Sequence, residues 1–274
     1  MPIFVKLVYK SGANPINTLV LRFLFSAFIL LIYIRIKNIN LYINKNQMKI
    51  ILFMSICGYS ITSILIFFSY KFIDVGIAGM IIHSYPLIVM ILSIIFLKEK
   101  FRLKKLLCSM LTFIGIVLMI GVKEKSSVNL IGVILAILAA ISYAIYCIEA
   151  DNKYIKYLNE YVVTFYVICV TTIIGLVTGL LTNSFKKPIG WMGIVLIIFI
   201  ALFSTVISLI FFIKGVKIIG PINASILSAL EPVTSLVLGV IVLGEKLSLN
   251  VVLGGLLIIF SMLLLSNDDI KTKD

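Results

Sequence analysis

Charged side chains are scarce in this chain, at 13% of its residues, whereas a soluble domain carries about a quarter. Apolar residues make up 62% of the chain, and an excess of this size cannot be buried in one water-soluble core. The scarcity of charge therefore excludes an ordinary soluble globule and indicates that lipid surrounds much of the chain.

Histidine and cysteine are also rare. His83 is the one histidine, and the four cysteines lie inside apolar stretches at spacings that fit no metal or redox motif. The chain shows no nucleophile–base arrangement, phosphate loop or nucleotide-binding motif. The sequence therefore predicts no enzyme and no cofactor, so that any transport is driven by a gradient and not by hydrolysis.

Acidic residues are outnumbered, with 11 Asp and Glu against 24 Lys and Arg and a net charge of +13. A charge of this size invites a nucleic-acid-binding interpretation. We reject that interpretation because the basic residues lie in short gaps between apolar runs and not on one face, which is how membrane proteins set their orientation.

Long apolar runs are what the chain does contain. A spanning helix needs about 20 apolar residues, whereas the strands of a barrel are shorter and alternate in polarity. Nine runs have this character: 16–36, 49–71, 75–96, 103–122, 129–150, 161–183, 190–213, 219–243 and 248–266. Because the gaps between them are short, the sequence predicts an all-α integral membrane protein without a soluble domain.

An internal repeat relates the two halves of the chain at an offset of 146 residues, the separation of Lys71 from Lys217. In both copies a proline, Pro86 or Pro232, is followed thirteen residues later by Glu-Lys at the end of an apolar run. The same offset maps 129–150 onto a window that begins ahead of Met1 and ends at residue 4. The first repeat is therefore expected to lack most of its first helix, because the true start lies upstream or the chain is truncated.

We predict a bundle of ten helices, here about nine and a half, formed by two inverted five-helix repeats. The repeats are 1–125 and 127–266, and 267–274 is a cytoplasmic tail. Five is an odd number, so the second repeat must enter the membrane the opposite way up. The loop at 98–105 carries five basic residues, whereas its repeat partner carries only Lys246. Because basic loops stay inside, the more basic set of alternate loops and the C-terminus are expected to be cytoplasmic.

Several short motifs carry a family resemblance. They are Leu21-Arg22-Phe23, Pro86 followed by Glu99-Lys100, Ser142-Tyr143-Ala144 in a Gly- and Ala-rich run, and Glu231-Pro232 followed by Gly244-Glu245-Lys246. In two copies at this spacing, they resemble the EamA-type members of the drug/metabolite transporter superfamily. The resemblance implies a central cavity between the halves, alternating access, and transport of amino acids, sugars, vitamins, nucleotide derivatives or drugs, often outward.

Glu231 is the most informative polar residue, because it lies near the middle of the run 219–243. A carboxylate at that depth must face a partner or a wet cavity, or stay protonated. Proton coupling and amine binding are the functional interpretations, and a structural hydrogen bond to a neighbouring helix is the alternative. Pro232 interrupts the helix and is expected to free a backbone carbonyl near Ser228, as in the broken helices of transporter sites.

Other candidates have a functional and a packing interpretation. Tyr85 is the repeat partner of Glu231 and a natural opposite wall, and His83 is either a cavity residue or a packing histidine. Arg22 either extends to the membrane interface or pairs with a carboxylate, and the former is favoured. The mirrored hydroxyl pairs that are candidates for lining the cavity are Tyr59 with Thr205 and Thr62 with Ser208.

The function that these patterns favour is secondary transport of a small metabolite, such as an amino acid or vitamin, by a gradient-driven exporter. A membrane-embedded enzyme and a non-transporting membrane scaffold are the alternatives. An enzyme requires a richer cluster of His, Asp or Glu, and a scaffold requires an effector domain. The expected partners are a small-molecule substrate, the lipid bilayer of the cytoplasmic membrane and possible second copies of the chain in a homodimer, but no nucleic acid.

Overall fold

The structure is a computed structural model that describes residues 8, 15–73, 75–120, 129–182, 189–234, 237 and 249–269. All regular structure in those residues is helical. Six helices in this part of the chain are long and apolar enough to cross a membrane. They are Ile16–Ile36, Lys45–Ser69, Ile77–Phe96, Leu130–Glu149, Glu160–Leu181 and Trp191–Leu227. The predicted class, an all-α integral membrane protein, is confirmed.

The helical segments are numbered in chain order, with two π-helical segments named separately. They are α1 Pro15–Ile36, α2 Lys45–Phe53, π1 Met54–Ser60, α3 Ile61–Ser69, α4 Val75–Ile82, α5 Tyr85–Phe96, α6 Leu103–Ile120, α7 Leu130–Glu149, α8 Glu160–Leu181, α9 Trp191–Phe199, π2 Ile200–Ile207, α10 Ser208–Leu227 and α11 Leu249–Asp269. Each of the nine apolar runs overlaps at least one of these segments. The predicted Glu245-Lys246 pair lies outside the described residues.

One predicted boundary is wrong. The gap expected at 214–218 is helical, and α10 continues through it. The interruption comes at Gly220, whose φ of 82° and ψ of 164° are outside the helical region. Glycine tolerates a positive φ, and Pro221 suits the first position of a new helix because it needs no amide donor there. The Gly-Pro pair therefore sets the boundary, and the nearby lysines do not.

The chain divides into two compact units, each drawn from both halves of the sequence. Unit 1 comprises Met1–Ile61 and Glu149–Ile218, and unit 2 comprises Thr62–Ile148 and Ile219–Asp274. In unit 1, α1 packs against α8 and π2, and α8 packs against π1. Gly175 lies where α8 approaches α1, and an added Cβ would lie 3.3 Å from a methyl of Val20.

Unit 2 is built around the packing of α6 on α11 and of α4 and α5 on α6. The hydroxyls of Thr112 and Ser261 share a 2.7 Å hydrogen bond between α6 and α11. Small residues in α7 allow close packing, and a Cβ added to Gly132 would lie 2.7 Å from the Ile73 side chain. Gly132, Ala136, Ala140 and Ala144 are all buried. The small-residue stripe is therefore a packing face.

Candidate functional site

Two helices of unit 2 are broken at positions that correspond in the sequence repeat. The first break is the turn at His83 and Ser84, between the end of α4 at Ile82 and the start of α5. The second is the turn at Ser228 and Ala229, after which the chain is helical again from 230 to 234. Pro86 and Pro232 each lie in the first turn of the resumed helix, where a missing amide donor costs little.

At the second break the backbone turns more tightly than Pro232 alone requires. Pro232 cannot donate to the Ser228 carbonyl, and the sequence therefore predicted a free carbonyl there. That expectation is wrong, because the amide of Glu231 donates to the Ser228 carbonyl at 3.0 Å. The turn closes with a three-residue hydrogen bond, which satisfies the carbonyl. What the break offers to a ligand is therefore side chains and not an open backbone group.

Tyr85 joins the two breaks within unit 2. Its hydroxyl proton is shared between two acceptors, the Ser228 hydroxyl and, at 3.3 Å, the Ser225 carbonyl. The Ser228 hydroxyl also donates to the Ser225 carbonyl, at 2.7 Å. Tyr85 is only 4% exposed. A buried tyrosine with a fully engaged hydroxyl holds its helix in place, so Tyr85 fixes the start of α5 against the end of α10.

An aromatic wall continues from Tyr85 onto α7. The rings of Tyr85 and Tyr143 meet edge to face, with centroids 4.8 Å apart. Tyr143 in turn stacks on Tyr146 at 5.6 Å. Edge-to-face pairs of this kind are favourable beyond the area that they bury, and aromatic faces attract cations. The wall was missed by sequence reasoning, although the repeated tyrosine spacing in α7 was a usable signal.

Glu231 and His83 are the ionisable groups beside this wall. The Glu231 side chain is exposed, and it interacts electrostatically with both His83 and Tyr85. His83 is half-buried, with its ring centroid 6.3 Å from that of Tyr85. Among the described residues, its buried Nδ1 atom has no hydrogen-bond partner. A carboxylate and an imidazole in this arrangement can exchange a proton or bind a cationic group.

The predicted hydroxyl candidates Thr62, Thr205 and Ser208 have different environments. Thr62 is buried in unit 2, and its hydroxyl donates to the Ala139 carbonyl at 3.2 Å. Thr205, in π2 of unit 1, is 0% exposed and donates to the Ile200 carbonyl at 3.4 Å. Ser208 begins α10 and is exposed. The two threonines therefore satisfy their hydroxyls within the protein.

Arg22 and Tyr59 lie in unit 1 around Phe23. The Arg22 guanidinium carbon is 4.5 Å from the centre of the Phe23 ring, and Tyr59 meets the same ring edge to face at 5.7 Å. Arg22 is 8% exposed. An interfacial arginine would extend its charged end outward. The favoured expectation for Arg22 therefore does not fit the structure, which holds this side chain inside the protein.

The two π-helical segments were not predicted. They begin at Met54 and Ile200, which are separated by the 146 residues of the sequence repeat. Such segments often mark functional positions in helices. The sequence repeat predicts that these two segments have similar structures. It does not show that they are π-helical, because the apolar pattern is the same for a π-helical and an α-helical turn.

A helical, multi-pass membrane protein with paired helix breaks and ionisable groups beside them has the features of the transporter class. A sequence profile of the EamA-like transporter family matches the chain over 1–121 and 130–267. The chain belongs to the EamA-like transporter family and is a membrane transporter, which confirms the resemblance drawn from the motifs.

The names of curated relatives agree with this assignment, and a solved structure shares the fold. A protein of Clostridium kluyveri named "Uncharacterized transporter" is 22% identical over 98% of this chain and 88% of its own length. A protein of Archaeoglobus fulgidus with the same name is 27% identical over 76% of this chain and 74% of its own length. A crystal structure that is 16% identical matches with a TM-score of 0.85 over 98% of this chain and 94% of that chain. The structural likeness shows the fold.

Proposed function

We propose that this chain is a gradient-driven secondary transporter that exports a small metabolite, such as an amino acid, a vitamin or a related compound, across the cytoplasmic membrane by alternating access. The family assignment supports transport itself. The outward direction follows what the family resemblance implies. The excess of basic residues in alternate loops supports a cytoplasmic C-terminus.

The observation that carries this proposal is the meeting of two broken helices at Tyr85. The breaks occupy corresponding positions in the sequence repeat, and one tyrosine hydroxyl bonds across them. Broken helices at membrane depth present ligand-binding groups that a continuous helix conceals. Exposed Glu231 lies two residues after one break, and half-buried His83 lies within the other.

We assign a role to each side chain in this cluster. Glu231 binds an ammonium group of the substrate or the coupling proton, because a carboxylate at this depth is costly unless it has such a partner. His83 exchanges a proton with Glu231, and the ring of Tyr85 forms the wall of the site. Ser228 positions the Tyr85 hydroxyl. Arg22, Tyr59, Thr62, Thr205 and Ser208 remain candidates predicted from the sequence.

A mostly apolar surrounding with few charges favours a zwitterionic or amphipathic substrate over a polyphosphate. A polyphosphate requires several basic groups to replace its hydration. Among the described residues of the cluster at the breaks, no Lys or Arg accompanies the Glu231 carboxylate and the His83 imidazole. The cluster therefore suits a substrate that carries an amine.

Metabolite profiling tests the proposal directly. Cells that produce the wild-type chain are compared with cells that produce Glu231→Gln at equal membrane level, and compounds in the medium and cytosol are measured by mass spectrometry. We expect at least one amine-bearing compound to accumulate in the medium only with the wild-type chain. Accumulation in the cytosol instead would reverse the assigned direction.

A matched carboxylate provides the control. Glu99 pairs with Lys105 at 3.3 Å beyond the end of α5, so Glu99→Gln removes one carboxylate outside the cluster. We expect this variant to transport like the wild type. Normal transport by a folded Glu231→Gln variant would contradict the role of Glu231. A chemical conversion, with no compound redistributed, would favour the membrane-embedded enzyme.

A further inference from the structure

A groove of about 340 Å³ lies within unit 1. Its walls come from α1, the first turn of α8, π2 and the beginning of α10. Most of its lining is aliphatic, with Ile29 and Leu30 on one wall and Leu202 and Val206 on another. Ligand sites have volumes of about 300–1,000 Å³, and this groove lies at the lower end of that range. Its small volume and aliphatic lining suit a slender apolar chain better than a bulky ring system.

One end of the groove is polar. Tyr33, Glu160, Tyr161 and Lys214 line it there. The centroids of the two tyrosine rings lie 5.0 Å apart. The groove is therefore aliphatic along most of its length. Its polar end, here called the mouth, is lined by two tyrosines, one acidic side chain and one basic side chain.

The two charges at this mouth are available to a ligand. Glu160 lies in the first turn of α8, where the helix dipole stabilises an anion, and Asn159 caps the same helix. Within the described part of the chain, neither Glu160 nor Lys214 forms an ion pair. Lys217 lies close enough for its charge to act on Glu160, but its ammonium group donates to the Leu158 carbonyl. The mouth therefore presents both signs of charge, which complements a zwitterion.

The mouth also has the character of a membrane interface. Tyrosine is enriched where a bilayer meets water, and lysine near helix ends lies close to lipid headgroups. Tyr33 is near the end of α1, and Tyr161 is at the start of α8. The adjoining loops belong to the more basic set, which is the predicted cytoplasmic side.

We infer that this groove binds a phospholipid of the cytoplasmic leaflet with a zwitterionic, amine-bearing headgroup. The ammonium group pairs with Glu160 and the phosphate with Lys214. One acyl chain lies along the aliphatic walls formed by α1 and π2. An anionic lipid lacks a group for Glu160, and a free headgroup lacks the chain that fills the channel.

Lipid retention measured by native mass spectrometry tests this inference. The purified full-length protein in detergent is incubated with synthetic phosphatidylethanolamine or with phosphatidylglycerol of the same acyl chains. We expect about tenfold more bound phosphatidylethanolamine than phosphatidylglycerol, since one charge-assisted contact is lost with the latter. Soluble phosphoethanolamine, added as a third arm, should not compete at the same concentration.

Variants assign the binding to the groove. Glu160→Gln should lower phosphatidylethanolamine retention about tenfold, and Leu202→Trp should lower retention of both lipids by filling the channel. Ile29→Phe serves the same purpose if Leu202→Trp does not fold. Lys49 is an exposed residue of α2 that does not line the groove. Lys49→Gln is therefore the control variant and should retain lipid normally. Equal retention of both lipids by the wild type, or full retention by Glu160→Gln, would overturn the inference.

Discussion

Units 1 and 2 both interrupt their helices at paired positions, but they do so by different means. In unit 1 the interruptions are π1 and π2, where the backbone stays helical and the turns are wider. In unit 2 they are turns that precede Pro86 and Pro232. A wide turn leaves the chain continuous, whereas a turn before a proline ends one helix and starts another.

The polar side chains differ in the same way. Ser60 in π1 donates to Thr171 at 3.1 Å, and Thr205 in π2 donates to Ile200, so both hydroxyls are satisfied by the protein. In unit 2, Glu231 is exposed beside a break. The comparison teaches that the wide turns of unit 1 serve packing, while the breaks of unit 2 present ionisable groups. Four predictions test this difference.

The largest expected effect is on transport. Glu231→Gln should lower flux by at least about tenfold, because a charge-assisted contact contributes about 1.5–3 kcal/mol. Ser55→Ala in π1 of unit 1 should leave flux near the wild-type level, since its buried hydroxyl donates to the Ile51 carbonyl of the same helix. Initial rates of substrate appearance, corrected for the amount of folded protein, provide the measurement. Equal losses of flux in the two variants would contradict the proposed difference between the units.

The next effect is on folding stability. A Cβ added to Gly115 would lie 2.7 Å from the Gly254 carbonyl oxygen, which is backbone and cannot move aside easily. Gly115→Ala should therefore lower the free energy of unfolding by about 2–3 kcal/mol. Gly175→Ala is the control in unit 1, and it should change that free energy by less than about 1 kcal/mol. Thermal unfolding in one detergent compares them, and similar midpoints would contradict the packing described for α6 and α11.

A smaller effect separates stability from transport. Tyr85→Phe removes the hydroxyl that joins the breaks and should cost about 1 kcal/mol. Tyr166→Phe in unit 1 removes a comparable bond, 3.0 Å to the Leu41 carbonyl, and should cost a similar amount. Only Tyr85→Phe should also slow transport. If both variants transport alike at equal folded level, Tyr85 is a packing residue.

The smallest effect concerns two serines. Ser60→Ala should destabilise the protein by about 0.5–1 kcal/mol without changing the apparent substrate affinity, because Thr171 still donates to Val167. Ser228→Ala should weaken that affinity, since the Ser228 hydroxyl positions Tyr85. Concentration dependence of flux distinguishes the two. An affinity change in Ser60→Ala would mean that unit 1 also shapes the substrate site.

Much of the fold was accessible from the sequence, because apolar length and period are local properties. The nine runs correspond to described helical segments, and the shared Pro86 and Pro232 pointed to where helices resume. The lysines near 214–218 indicate a loop by their polarity, but the Gly-Pro pair at Gly220 decides the boundary through its backbone conformation. The hydrogen bond from the Glu231 amide to the Ser228 carbonyl was not predicted, because it depends on how tightly the backbone turns before Pro232.

The sequence by itself determined that lipid is the solvent, that the chain is helical and repeated, and that Glu231 is an ionisable group deep in an apolar run. These follow from composition and from residues close together along the chain. Tertiary structure alone decided that Tyr85 reaches Ser225 and Ser228, that Arg22 is buried, and that Glu160 and Lys214 both line the unit 1 groove. These arrangements depend on helices that are far apart in sequence, and only the packing of those helices brings such groups together.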